Sequence, residues 1–311
     1  MTVGAGLPIV LAGPILRHVT ANNVSVWLAT SRHCDVRFEF FPEAQPDLNQ
    51  TYETGDQDWQ VLKAGESLYY HLVDIELGTS LPIDVLISYR LSVKPTGEAG
   101  TAWQDHTVWA PDLCYPGRDL PCFKVPDRIT SLFHGSCRKP HAQTPDGLAG
   151  ADVVLRQALG PEGETTAGSP ALPSLLVMSG DQVYADDVAG PMLQAISLLV
   201  EKLGLPDEPL DGVEPGLPAS GNELRNVGNL LYHRDTLLPR VYKNKTVFDV
   251  LFGGTEKPVF TTQHARNHLV TLGEMLAMYL LVWSPASWQG MPELKAPEGL
   301  EAKDAEMYAE E

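Results

Sequence analysis

Basic residues are scarce in this chain of 311 residues. It contains 22 Lys and Arg against 40 Asp and Glu, so its formal net charge is −18 at pH 7. Nucleic acids and anionic membranes both bind proteins through basic surfaces, and the charge therefore argues against unaided binding to either of them. A small phosphate-ester substrate would also be repelled at long range. If the protein acts on one, a group other than Lys and Arg must supply local positive charge.

Cysteines and long apolar runs are scarce as well. The four cysteines do not make a disulfide framework in a chain of this length. Cys114 and Cys122 could pair across a short loop, but we expect reduced thiols. No apolar run reaches the roughly 18 to 20 residues that span a bilayer. No basic residue precedes the apolar stretch near the amino terminus, as one would in a signal peptide. We therefore expect a cytoplasmic protein, and its oligomeric state is not indicated.

The amino-terminal third shows the alternation of apolar and polar residues that is typical of β-strands with one buried face. It is clearest from residue 83 to residue 93, and it recurs over residues 24–29 and 36–40. Turn-rich stretches separate these runs. Short alternating strands at this spacing predict an Ig-like β-sandwich over residues 1–110, followed by a linker over residues 111–127.

The pattern changes after the linker. Strands are predicted near 128–134 and 175–178, and helices near 151–159 and 191–203, which is the βαβα order of an α/β domain. The run Leu175–Met178 is nearly all apolar, as expected of a parallel strand that is covered on both faces. A long helix is also predicted over residues 262–283. We assign residues 128–311 to this α/β domain.

Three side chains with potential negative charge follow the two predicted strands. Cys137 comes after the first strand, Asp181 after the second, and Tyr184 three residues later. Ligands collect at the carboxyl ends of parallel strands, so these groups could meet above the sheet. The thiolate, carboxylate and phenolate would repel one another unless a strong Lewis acid such as Fe³⁺ lay among them. The alternative is structural, with a small core residue, a turn residue and a packing aromatic.

The residues around these positions resemble a known family. The stretches GSCRKPH (Gly135–His141) and SGDQVYADD (Ser179–Asp187) resemble the PhoD-like alkaline phosphatases, a branch of the calcineurin-like metallophosphoesterases. Residues 12–31 resemble that family's amino-terminal β-sandwich, and residues 268–288 resemble a helical stretch of its members. The resemblance implies hydrolysis of phosphomonoesters or phosphodiesters at a dinuclear site, with Fe³⁺ and a second divalent ion, for which Ca²⁺ is expected.

The resemblance also implies roles for individual residues. Cys137 and Tyr184 would ligate the iron, and Asp181 would bridge the two ions. From the residue types we add Arg138 as a holder of the substrate phosphate, since its guanidinium fork suits phosphate oxygens. We also add His141 as a general acid or a neighbour of the metal ions. Both could instead be ordinary polar residues of a loop.

One departure from the family pattern affects the functional hypothesis. The sequence has no Gly-Asn-His, Gly-x-His or Asp-Asp-His motif of the kind that completes such sites. We therefore expect the α/β domain to correspond to the first half of a metallophosphoesterase sandwich. The alternative function is that of a non-catalytic relative that acts as a binding module.

Overall fold

A computed structural model describes residues 6–43, 45–98, 100–139, 144–160, 172–211, 217–226, 231–243, 255–258 and 266–311. The chain is a mixed α/β protein whose amino-terminal part is rich in antiparallel strands. It divides into two compact units. The strand-rich unit comprises Met1–Gln182, Lys202–Gly204 and Trp283–Gly290, and the helical unit comprises Val183–Glu201, Leu205–Val282 and Met291–Glu311. The domain boundaries proposed at residues 110 and 127 stay predictions.

Two antiparallel sheets occupy the first part of the strand-rich unit. Their described strands are β1 (Val10–Val19), β2 (Asn23–Thr30), β3 (Cys34–Pro42), β4 (Gln50–Glu53), β5 (Gln60–Gly65), β6 (Leu68–Glu76), β7 (Leu86–Pro95), β8 (Gln104–Asp105) and β9 (Cys122–Lys124). One sheet has the order β1-β2-β6-β5. The other has the order β4-β3-β7-β8, and β9 pairs with β7. A short helix, α1 (His106–Trp109), follows β8.

The alternation in the sequence corresponds to burial in these strands. In β3, Val36, Phe38 and Phe40 are buried, whereas the residues between them are half-buried. Strand β2 behaves in the same way through Val24 and Val26. The buried residues of both sheets form one hydrophobic core. Removal of this apolar surface from water is what holds the two sheets together.

Two strand predictions need correction. The strand predicted from residue 83 begins at Leu86, because Asp84 has a φ of +57° and Ile83 is 44% exposed. Strand β1 was not predicted, since Pro14 lies within it. Gly13 allows this strand to approach β2, because a Cβ atom at Gly13 would lie 2.8 Å from the carbonyl oxygen of Trp27.

A parallel pair of strands completes the strand-rich unit. Strands β10 (Leu132–Gly135) and β11 (Leu175–Met178) are connected through α2 (Gly147–Leu159), which confirms the strand-helix-strand order. The expectation that β11 is covered on both faces is wrong. Leu175, Leu176 and Val177 are 41%, 49% and 36% exposed, so the side chains of β11 are not fully covered. Among the described strands β11 pairs only with β10.

The described elements of the remaining chain are mostly helical. They are α3 (Gly190–Leu203), α4 (Gly221–Asn226), β12 (Arg240–Lys243), β13 (Thr255–Pro258), α5 (Leu272–Trp283) and α6 (Ala302–Glu310), and β12 pairs with β13 in antiparallel orientation. The long helix predicted from residue 262 begins only at Leu272. The Thr271 hydroxyl accepts the Glu274 N–H, and the Glu274 carboxylate accepts the Thr271 N–H, so a capping box sets this start. Residues 259–265 lie outside the described residues.

Two further expectations concern cysteines and membranes. None of the four cysteines forms a disulfide, and all four lie among the described residues. In the described part of the chain, no helix combines the length and the apolar character needed to cross a membrane.

Burial of His71 in β6 generates a prediction of pH-dependent stability. The side chain lies 2.9 Å from the Thr30 hydroxyl, and burial lowers the pKa of His71 from 6.5 to about 4. Between these values the unfolded chain binds a proton that the folded chain excludes. The contribution of His71 to the unfolding free energy is therefore fully present above pH 6.5. It is lost as the pH drops toward 4, and the total loss from this group is about 3 kcal/mol.

We expect His71→Gln to reduce the loss of unfolding free energy between neutral and acidic pH by about 2 to 3 kcal/mol. The matched control is His18→Gln, which replaces an exposed histidine and should keep the wild-type pH dependence. Urea unfolding at a series of pH values measures both. If the His71→Gln variant has the same pH dependence of unfolding free energy as the wild-type protein, the His71 imidazole is not buried in its neutral form in the folded wild-type protein.

Candidate metal centre

The loops that carry Cys137 and Asp181 lie side by side. Strands β10 and β11 run in parallel with Gly135 opposite Met178, so both loops leave the same edge of the pair. Two backbone hydrogen bonds connect them. The Arg138 N–H donates to the Asp181 carbonyl at 2.9 Å, and the Ser179 N–H donates to the Gly135 carbonyl at 3.1 Å. The structure therefore brings together two of the three loop positions that the sequence singled out.

Gly180 allows this close approach. A Cβ atom at Gly180 would lie 2.6 Å from the sulfur of Cys137, 2.6 Å from the Ser136 hydroxyl and 2.7 Å from the Cys137 backbone nitrogen. The glycine directly before Asp181 is thus required by the neighbouring loop. A side chain at this position would push the two loops apart.

Gln182 bridges the two loops, although the sequence analysis did not identify it as a site residue. Its side-chain amide donates to the carbonyls of Ser136 at 2.7 Å and Gly180 at 3.0 Å. Its side-chain carbonyl oxygen is buried and has no hydrogen-bond partner among the described residues. Such an oxygen suits a hard divalent ion such as Ca²⁺. The only signal in the sequence was its place in the Gly-Asp-Gln-Val-Tyr stretch.

Two residues of the candidate site, Cys137 and Asp181, are open to solvent. Cys137 is an exposed thiol outside any disulfide that accepts a hydrogen bond from the Ser136 hydroxyl at 3.7 Å, and Asp181 is also exposed. In the described ranges, no three His, Cys, Asp or Glu side chains are close enough together to hold a metal ion. Tyrosine is not one of these four residue types. A site built from Cys137, Asp181 and Tyr184 would therefore contain only two ligands of those types.

Tyr184 belongs to the helical unit, which begins at Val183. Its side chain is half-buried, and the carbonyl of the next residue, Ala185, accepts the Leu269 N–H at 2.7 Å. The convergence of Tyr184 with Cys137 and Asp181 stays a prediction.

Arg138 is held by an acid and an aromatic ring. Its Nε and Nη2 atoms lie 2.9 and 2.8 Å from one carboxylate oxygen of Asp146, and its guanidinium lies 5.2 Å from the ring centroid of Trp283. The hydrogen bond from Arg138 lowers the pKa of Asp146 below its ordinary value. Asp146 also caps α2 by accepting the Leu148 N–H at 2.9 Å. The contact of Arg138 with a phosphate stays a prediction, and His141 lies outside the described residues.

His134 and Ser179 form a further polar pair at the same edge of the strands. The Nε2 atom of His134 lies 2.9 Å from the Ser179 hydroxyl, and both side chains are exposed. Sequence reasoning missed this pair, because His134 lies inside a strand and Ser179 directly follows another. Nothing in their spacing indicates a contact across 45 residues.

Comparisons with known proteins assign no family to the chain. No family model matches it, and no curated protein matches it. The resemblance to the PhoD-like alkaline phosphatases stays an expectation from the sequence stretches at residues 12–31, 135–141, 179–187 and 268–288.

Substitution of Gly180 tests the close approach of the two loops. We expect Gly180→Ala to lower the unfolding free energy by about 2 kcal/mol, because the new methyl group overlaps backbone as well as side-chain atoms. The matched control is Gly150→Ala in α2, where a Cβ atom meets no atom within 4 Å. That change should stabilise the helix by up to about 1 kcal/mol. Urea unfolding measures the unfolding free energy of both variants. A Gly180→Ala variant as stable as the wild-type protein would contradict the observed packing.

Proposed function

We propose that the protein is a metal-dependent phosphatase that hydrolyses phosphomonoesters or phosphodiesters. The observation that carries this proposal is the adjacency of the Cys137 and Asp181 loops at the carboxyl edge of a parallel strand pair. Ligands and catalytic groups of α/β domains collect at such edges. A thiol and a carboxylate that are both exposed there suit metal binding better than they suit packing in a core.

The residue types of the candidate site suit the expected ions. Cys137 and Tyr184 would hold Fe³⁺, and Asp181 would bridge to a second divalent ion such as Ca²⁺. The unpaired carbonyl oxygen of Gln182 supports a hard second ion, because it adds an uncharged oxygen ligand beside the carboxylate. When bound, the two ions would supply the Lewis acidity and the positive charge that phosphoester hydrolysis needs. That positive charge would also offset the repulsion of an anionic substrate by a chain of net charge −18.

The remaining residues would orient the substrate. Arg138 would direct its guanidinium toward the phosphate while Asp146 and Trp283 fix its position. Pre-orientation of this kind reduces the entropy lost when the substrate binds. His141 would donate a proton to the leaving group.

The finer architecture follows the same proposal. We propose that the two antiparallel sheets are an Ig-like β-sandwich. In this interpretation β10, α2 and β11 are the first strand-helix-strand unit of a metallophosphoesterase sandwich. The parallel register and the connecting helix support this assignment, because such units build α/β sheets.

The metal content and colour of the purified protein test the proposal. We expect the protein to bind iron stoichiometrically and to show a visible charge-transfer band from thiolate and phenolate ligands. Cys137→Ser and Tyr184→Phe should each weaken or shift the band. Each should also lower the hydrolysis of p-nitrophenyl phosphate and bis-p-nitrophenyl phosphate by about 100-fold or more, since ligand loss exceeds the effect of changing supporting residues.

The matched controls are Cys114→Ser and Tyr69→Phe, which remove a thiol and a phenol outside the candidate site and should leave iron content and colour unchanged. A colourless, iron-free protein without hydrolytic activity would refute the phosphatase. A protein that binds iron through Cys137 and Tyr184 but turns over neither ester would instead support the non-catalytic binding module.

A further inference from the structure

The segment that carries Tyr184, residues 183–189, is held at both ends by groups that are distant in sequence. Near its start, the Ala185 carbonyl accepts the Leu269 N–H at 2.7 Å. Directly after its end, the N–H of Gly190 donates to the side-chain carboxylate of Glu311 at 2.6 Å. We propose that α6, together with Glu311, is a clasp that positions the Tyr184 segment. Its importance for iron binding rests on the proposed function, whereas the clasp itself does not.

Glu311 binds at the amino-terminal end of α3. The same carboxylate oxygen that accepts from Gly190 also accepts from the Tyr232 hydroxyl at 2.5 Å. The positive end of a helix dipole favours a carboxylate at this place. Burial and the bond to Glu311 raise the pKa of Tyr232, so its hydroxyl keeps the proton that it donates. Gly190 leaves room for this arrangement, because a Cβ atom there would lie 2.8 Å from the Tyr232 ring.

Asp304 and Tyr308 attach α6 to the rest of the helical unit. The Asp304 carboxylate is buried and lies 3.0 Å from Nε2 of His233 and 3.3 Å from Nη2 of Arg266. The Tyr308 hydroxyl donates to the side-chain oxygen of Gln194 in α3. All of these bonds are polar, so the docking of α6 depends on specific side chains as well as on apolar contact.

The other end of the Tyr184 segment has a more deeply buried support. The segment that contains Leu269 is fixed by Arg234 and Glu274, whose side chains are 3% and 0% exposed and lie 2.8 Å apart. The Glu274 carboxylate also accepts the Val270 N–H at 2.8 Å. Glu311, by contrast, is exposed apart from its two hydrogen bonds. We therefore expect loss of the clasp to release the α3 end of the segment, so that Tyr184 is held only through the bond at Ala185 and becomes less well positioned.

One residue of the segment has an uncommon backbone conformation. Asp187 has a φ of +51°, in the left-handed region that few residues other than glycine adopt, although Asp adopts it more readily than most. Val188 and Ala189 are buried on one side of it. The bond from Gly190 to Glu311 fixes the backbone on the same side. Without that bond, residues 187–190 can relax toward a less strained conformation.

Hydrogen exchange of the full chain without added metal tests the clasp. We expect Glu311→Ala to accelerate amide exchange of residues 188–190 and of α6 about tenfold, the effect of losing one charge-assisted hydrogen bond that is partly exposed. Glu311→Gln keeps an acceptor oxygen and should restore part of the protection. Exchange in α5 should not change, because the Arg234–Glu274 support is intact.

The matched control is Glu310→Ala, which removes an exposed carboxylate from the same helix and should leave exchange at wild-type rates. Circular dichroism verifies that each variant is folded. Wild-type exchange of residues 188–190 in the Glu311→Ala variant would overturn the clasp, and so would equal acceleration in the Glu310→Ala variant.

A second measurement separates the clasp from the proposed function. In iron-loaded protein, Glu311→Ala should shift the charge-transfer band, whereas Glu310→Ala should not. If no variant binds iron but Glu311→Ala still accelerates exchange, the clasp stands and the phosphatase proposal fails. If iron binds and the band is identical in all variants, α6 has no positioning role for Tyr184.

Discussion

The close approach of the two loops that follow β10 and β11 is the constraint on which the candidate site depends. Parallel pairing directs both loops to one edge, and the backbone bond from Arg138 to Asp181 holds them together. Gly180 is the residue that makes this spacing possible, since any side chain there would meet the sulfur of Cys137. The side-chain amide of Gln182, in the loop after β11, donates to the Ser136 carbonyl in the loop after β10 and so joins the two loops again. The thiol and the carboxylate are therefore brought to one edge by backbone geometry before any metal is considered.

Electrostatics give this arrangement its functional interpretation. An acidic chain that acts on phosphate esters needs concentrated positive charge, and its basic residues are few. At the candidate site the nearby guanidinium of Arg138 is already paired with Asp146, which lies at the start of α2. Metal ions bound beside Cys137 and Asp181 would add the strong positive charge that one paired guanidinium does not supply. In this account metal ions are needed because the chain is acidic, and the loops that follow β10 and β11 supply ligands for them.

The sequence predicted the features that depend on local periodicity or on position in a strand order. Alternation identified β2 and β3, and the strand-helix-strand order identified the edge where Cys137 and Asp181 lie. Prediction from the sequence was wrong where the answer depends on what covers a strand or on the local backbone geometry. An all-apolar run such as Leu175–Met178 does not show whether its faces are covered, and β11 is exposed. The start of α5 depends on the capping box of Thr271 and Glu274, which the apolar spacing of residues 262–283 does not indicate. The contacts of Gln182 and His134 join residues that are far apart in sequence, and no periodicity predicts them.

The central claim is that Cys137 holds an iron ion at these strand ends. X-ray absorption spectroscopy at the iron edge tests it most directly, because sulfur and oxygen neighbours scatter differently. The account predicts a sulfur neighbour in the iron coordination sphere of the wild-type protein and its loss in Cys137→Ser. An iron coordination sphere of oxygen and nitrogen alone in the wild-type protein would contradict the account.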